Sequence, residues 1–176
     1  MAKPALEIEV DEATGEWRVD GMPMILVPRH FLVNNHVAME EAIGRDAYAE
    51  HLRKAGHKSA WQWCEREAKT HGLSGVAVFR HYMKRLSQRG WAQFAVEAVD
   101  PKSGTARVRA THSVFVSEAG KDVGRKTCTM FLGWLEGSME YVRQADGIPG
   151  KVVATECACG AEGAKDGCVF EVRPAA

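Results

Sequence analysis

Three of the five cysteines in this 176-residue chain fall within a dozen residues near its end, and that cluster constrains the fold more than any other feature. It reads Glu156-Cys157-Ala158-Cys159, then a glycine-rich stretch of eight residues, then Cys168. An odd cysteine count behind a start, Met1-Ala2-Lys3-Pro4, that carries no apolar signal segment argues against a disulfide framework. A cytoplasmic chain with reduced thiols is expected, and clustered thiols there point to a metal. Glu156 and Cys159 lie three apart just past an expected strand end, where a turn aims both at one point. The loop 160–167 can fold back because glycine tolerates positive φ, and this returns Cys168 to the same point. Structural zinc is usually four-coordinate, with Zn–S bonds of about 2.3 Å. A fourth ligand must come from elsewhere, and Cys128 at the head of a long helix is available. The spacing is not of the CxxC kind, so free thiols or an adventitious disulfide stay open at this level. Cys157 points away from the others in an extended segment, and Cys64 on a helical apolar stripe reads as core.

The remaining composition narrows the function classes. With 23 basic and 23 acidic residues, no field is available to gather a polyanion, which disfavours nucleic acid as a partner. Apolar residues make up 45% of the chain, enough for one core, and no apolar run reaches the roughly 18 residues of a membrane span. Two domain-level pieces are expected: an N-terminal hairpin or arm over 1–21 and one domain over 22–176.

Periodicity orders the elements. Alternation in Leu6–Val10 and Glu16–Val19 around a turn cluster predicts a hairpin, and the prolines of Met22–Pro28 keep that segment out of a helix interior. Leu32, His36, Met39 and Ile43 form a helical stripe, and Ala47, Tyr48, His51, Leu52 and Ala55 continue the period beyond Gly44 to Gly56, either as one long helix with a glycine in it or as two helices with a joint there. Ser59 is a candidate N-cap for a helix to His71, and Ser74 for one carrying Val76, Phe79, Met83 and Leu86 and closed by Gly90. A hairpin follows, with alternation expected over Ala106–Val116, then a helix over Lys126–Asp146 and strands at Val152–Glu156 and Val169–Arg173. Helices packed on an antiparallel sheet make the fold class α+β.

Cys128, Gly133, Gly137, Glu156, Cys159, Gly160, Gly167, Cys168 and Phe170, with Arg29, Gly44, Ala47, Gly56 and Arg89-Gly90-Trp91 upstream, resemble the signature of the 4-vinyl reductase domain family. That family includes the sensor domains of phenol- and toluene-responsive activators and is related in fold to TRAPP trafficking subunits. The resemblance covers approximately Met22 to Arg173. It implies a 4-vinyl-reductase/TRAPP-like ligand-binding fold and a structural zinc ion held by Cys128, Glu156, Cys159 and Cys168. It also implies a small apolar or aromatic ligand, a homodimer, and a pocket between helices and sheet. Candidate lining residues are His36, Phe79, Met83, His112, Phe115 and Trp134, with Met130 beside them. The strand tryptophan of the phenol sensors falls on Ala110, so a phenol-specific grip is not expected.

The leading expectation is a non-enzymatic, zinc-stabilised sensor or accessory protein that signals through a separate output protein. A reductase or enzyme accessory subunit is the alternative, although no G-x-G-x-x-G fingerprint follows a strand. A structural assembly module is the third reading.

Overall fold

A computed structural model describes residues 6–119 and 123–175; residues 1–5 of the expected arm and 176 of the expected domain lie outside the described residues, as do 120–122. The N-terminal strands β1 (Glu9–Asp11), β2 (Glu16–Val19) and β3 (Met22–Met24) form a small antiparallel sheet. Asp11 Oδ1 makes the first turn by accepting the N–H groups of Ala13 and Thr14 at 2.9 and 3.2 Å. The expected strand Leu6–Val10 is thus shifted toward the turn. Pro23 sits on the outer strand, where a missing N–H disturbs no neighbour.

Helix α1 (Arg29–Ile43) ends at Gly44, whose φ of 85° and ψ of 147° break the stripe into two helices. Helix α2 (Arg45–His71) then runs unbroken through Gly56 and Ser59, so the helix end expected at Gly56 and the Ser59 cap are not formed. The physical reason is packing against a later helix, α5 (Thr129–Ala145). A Cβ on Gly133 would run into the Arg53 carbonyl, one on Gly137 into the His57 carbonyl, and one on Gly56 would lie 3.1 Å from the Met130 carbonyl oxygen. Glycine is placed for close approach of two backbones. Helix α3 (Val76–Gln88) starts after Gly75 with no side-chain cap, which displaces Ser74 from the expected role. Its end does follow expectation, with Gly90 at φ 83°.

The larger sheet contains β4 (Gln93–Asp100), β5 (Thr105–Thr111), β6 (Val152–Ala158) and β7 (Cys168–Pro174) in the antiparallel order β4-β5-β7-β6. Ala106, Val108 and Ala110 of β5 face inward, whereas Arg107 and Arg109 pair with Glu97 and Glu171 on the outer face. The alternation expected as far as Val116 stops at Thr111. His112 adopts φ 54°, turning the chain, and Val114–Ala119 forms a short helix, α4, tied by the Val114 N–H to the Trp91 carbonyl at 2.9 Å. Phe115 therefore lies on a helix rather than on the hairpin.

The layer between helices and sheet is filled by interlocked rings. Phe131 lies 5.1 to 5.2 Å from Phe94, Phe115 and Trp134, and Trp91 meets Trp134 edge-on at 4.9 Å. Among the described residues no helix is long and apolar enough to cross a membrane.

Candidate metal centre

Strand β6 sends Val152, Ala154 and Glu156 inward by alternation, and a bulge between Glu156 and Ala158 absorbs Cys157 on the exposed side. The chain then brings Cys159 into the interior and turns through a single 3-10 turn (Gly160–Glu162) and Gly163. Gly167 returns it at φ 87°, so close to β5 that a Cβ would stand 2.5 Å from the Ala110 carbonyl oxygen. Cys168 opens β7 opposite Ala110. Cys128 arrives from the other direction, at the N-cap position of α5. One ligand atom from each of Cys128, Glu156, Cys159 and Cys168 lies within 4.8 Å of every other, and all four residues are buried.

The distances exclude one of the chemistries left open by the sequence, a disulfide. Cys168 Sγ is 3.6 Å from Cys128 Sγ and 3.7 Å from Cys159 Sγ. A disulfide requires about 2.0 Å. Thiolates sharing a tetrahedral ion with bonds of about 2.3 Å are separated by about 3.8 Å. Glu156 Oε1 is buried without a hydrogen-bond partner, an expensive arrangement that a cation relieves. The Gly160 N–H donates to Cys168 Sγ at 3.4 Å and the Ser113 hydroxyl lies 3.2 Å from Cys128 Sγ, contacts suited to charged sulfur. The positive end of α5 faces the same point. The four side chains fit a tetrahedral metal ion.

Without an ion the group cannot ionise freely. The hydrogen bond to Cys159, aided by burial, holds the Cys128 thiol far above its usual range. Cys159 is held low by hydrogen bonds from Cys128 and Cys168. For Cys168, the bond with Cys128 lowers the value, but the bond with Cys159 and burial outweigh it and push the thiol up to about 12. Burial pushes the Glu156 carboxyl up to about 8. The cluster thus holds protons that a divalent ion must displace.

Neighbouring charge is one-sided. Lys165 lines an open cleft of about 560 Å³ whose wall includes Cys168, His112, Ser113 and Ser117. Arg173, which sequence position makes a candidate counter-charge, pairs instead with Glu171 on the exposed face. Cys64 is fully buried in the core and burial raises its thiol. The contacts from Ser113 and from Thr127, whose hydroxyl lies 3.8 Å from Cys159 Sγ, carry no sequence signal.

The expected lining residues separate into three places. His36, Phe115 and Trp134 share the aromatic layer, where the His36 ring is 5.0 Å from that of Phe115 and 5.4 Å from that of Tyr48. Phe79 and Met83 are core residues of α3. His112 faces the outer cleft beside Cys168.

Comparison with solved structures places this arrangement among known folds. The phenol-responsive sensory domain of the transcription activator PoxR, solved with phenol, superposes with a TM-score of 0.77 at 13% identity, covering 95% of this chain and 84% of that one. A vinyl-4-reductase family protein from Methanocaldococcus jannaschii gives 0.56 at 14% identity over 87% and 85% of the two chains. A trafficking protein particle complex subunit 3 from Naegleria fowleri, covalently bound to palmitic acid, also gives 0.56 at 14%, over 84% and 95%. The fold is the one the sequence signature implies. No curated protein sequence is significantly similar to this one. A family profile matches residues 2–97, more than half of the chain, although the four clustered candidate ligands lie beyond it. The chain belongs to the family described as Domain of unknown function (DUF5943).

Proposed function

We propose that the chain is a non-enzymatic small-molecule-binding module, a sensor or accessory protein whose C-terminal strands are fastened by zinc. The observation that carries this reading is the buried cluster of three thiols and one carboxylate inside a fold shared with a phenol sensory domain. Cys128, Glu156, Cys159 and Cys168 would hold the ion, which supplies a crosslink and, with four protein ligands, leaves no position for a reacting water. The role is structural.

The ligand is a small apolar or aromatic molecule received between α1 and the aromatic layer, against His36, Phe115 and Trp134. Support comes from α1 itself, which buries no residue and rests on its neighbours through half-buried contacts, so that lifting it costs little. Phe79 and Met83 back this layer, and His112 offers a polar contact at the outer cleft. The fit of zinc agrees with a cytoplasmic setting, where thiols stay reduced. A homodimer is part of the same proposal, formed through the exposed apolar face of Ile25, Leu26 and Phe31, and a separate output protein receives the signal.

The filled aromatic layer favours a second reading, an assembly module without ligand. Native mass spectrometry of gently purified protein, followed by titration with small aromatic molecules, separates the two. One zinc per chain and quenching of Trp91 and Trp134 emission by an aromatic compound, weakened in His36→Ala with zinc retained, are expected. Zinc without any saturable emission change selects the assembly reading, and folded protein that takes up no zinc rejects the metal assignment.

A further inference from the structure

A separate group of metal-binding side chains lies where the end of α2 meets α3 and the β2–β3 turn. Glu67 and His71 are one helical turn apart on α2, and His81 reaches across from α3. The three ligand atoms lie within 4.8 Å of one another. Glu67 Oε2 stands 2.9 Å from His81 Nε2 and 3.3 Å from His71 Nε2, and Asp20 Oδ1 is 4.0 Å from the latter. Glu67 is 0% exposed, and its second oxygen, Oε1, is buried with no partner.

A hydrogen-bonded triad explains only part of this. The His81 ring hydrogen-bonds Oε2 and the His71 ring stands 3.3 Å from the same oxygen without a hydrogen bond, which leaves Oε1 desolvated and unpaired, a costly state for a charged group. An ion held by both carboxylate oxygens and the two Nε2 atoms removes that deficit. Ion–nitrogen and ion–oxygen bonds of about 2.0–2.2 Å place such donors about 3 Å apart, close to the separations observed. Arg85 also faces this carboxylate, its Nε 4.0 Å from Glu67 Oε2 without a hydrogen bond, while its Nη2 is engaged by Asp20. Arg89 lies over the Trp63 ring at 4.9 Å. His71 and His81 remain partly open to solvent, which provides an entry path.

We propose that Glu67, His71 and His81 form a second metal site, selective for a borderline divalent transition metal such as zinc, nickel or cobalt, independent of the cysteine cluster. Two imidazoles and one carboxylate leave room for water or an external ligand on the exposed side. The ion fastens the C-terminal end of α2 to α3, beside the turn that carries Asp20.

The test uses the full chain, stripped with a chelator, reloaded with Zn²⁺ or Co²⁺ and desalted. Wild type retains two ions per chain, and His71→Ala and His81→Ala each retain one. The cobalt-loaded His71→Ala variant keeps the thiolate charge-transfer bands in the near-ultraviolet, because those belong to the cysteines. Both histidines are partly exposed, so the variants fold even if Glu67→Gln does not. An unchanged ion count in both histidine variants, or only the thiolate-bound ion retained by wild type, overturns the proposal. If the cysteine assignment alone is wrong, wild type holds one ion without charge-transfer bands and His71→Ala holds none.

Discussion

Cys157 and Cys168 have the same chemistry and opposite surroundings. A β-bulge leaves Cys157 exposed, while Gly167 delivers Cys168 into a group of donors that no solvent reaches. If these four side chains hold the proposed zinc, Cys168→Ala removes one ligand and costs about 4 kcal/mol, since loss of a metal is among the few single-residue changes this large. At about 2–4 °C per kcal/mol for a chain of this size, the thermal midpoint falls by roughly 10 °C. Cys157→Ala leaves metal content and midpoint unchanged, and elemental analysis with a melting curve checks both. Acid acts in the same direction as Cys168→Ala. For the proposed ion, the raised Cys128, Cys168 and Glu156 groups must lose protons to bind, so zinc affinity would fall more than about tenfold for each pH unit lost. Competition with a zinc indicator between pH 8 and pH 6 measures this.

At the scale of elements, α5 joins the helical layer to the sheet. Its glycines accept the α2 backbone on one side. Glu136 and Glu140, one turn apart, accept the Ala154 and Val152 N–H groups of edge strand β6 at 2.7 and 3.1 Å. The sheet edge is thereby closed by side chains rather than by another strand. Gly137→Ala presses a methyl into the His57 carbonyl, and with backbone on both sides the cost is about 3 kcal/mol, read by urea denaturation. Burial alone would raise Glu140, but Lys151 at 2.8 Å, His57 at 2.9 Å and the Val152 N–H outweigh it and hold the carboxyl below its ordinary value. A lowered carboxyl stabilises the fold above its unfolded value of 4.5, and that contribution disappears as pH falls through the lower folded value. Glu140→Gln is therefore less stable than wild type at neutral pH, and the gap narrows in acid, as paired denaturation curves at pH 7 and pH 3.5 would reveal.

For the whole molecule, exposed apolar side chains gather before and on α1 among the described residues. Ile25 and Leu26 are 81% and 80% exposed and Phe31 57%, next to a helix with no buried residue. If this face joins two chains, Phe31→Asp halves the mass in analytical ultracentrifugation without loss of zinc; a single monomeric mass for wild type removes the dimer from the proposed function. Most of the architecture is legible because periodicity reports which face of an element is buried. The stripe through Phe79 and Met83 is readable for that reason, as is the alternation of β5. Gly44 and Gly56 show the limit, since both interrupt a helical pattern and only one ends a helix. Gly44 takes a backbone conformation that only glycine favours, whereas Gly56 is small because α5 lies against it. Local composition cannot distinguish these causes. Residues in one segment, Glu156, Cys159 and Cys168, converge through a bulge and a glycine turn written into that segment, so the sequence itself determined these three members of the candidate metal cluster and the α+β class, whereas Cys128 reaches them only through the placement of α5. Whether His81 meets Glu67, whether His36 meets Phe115, and which glycines touch another backbone depend on how distant helices cross. Those were settled only by tertiary packing, because side chains far apart in the chain share no local pattern that records their approach.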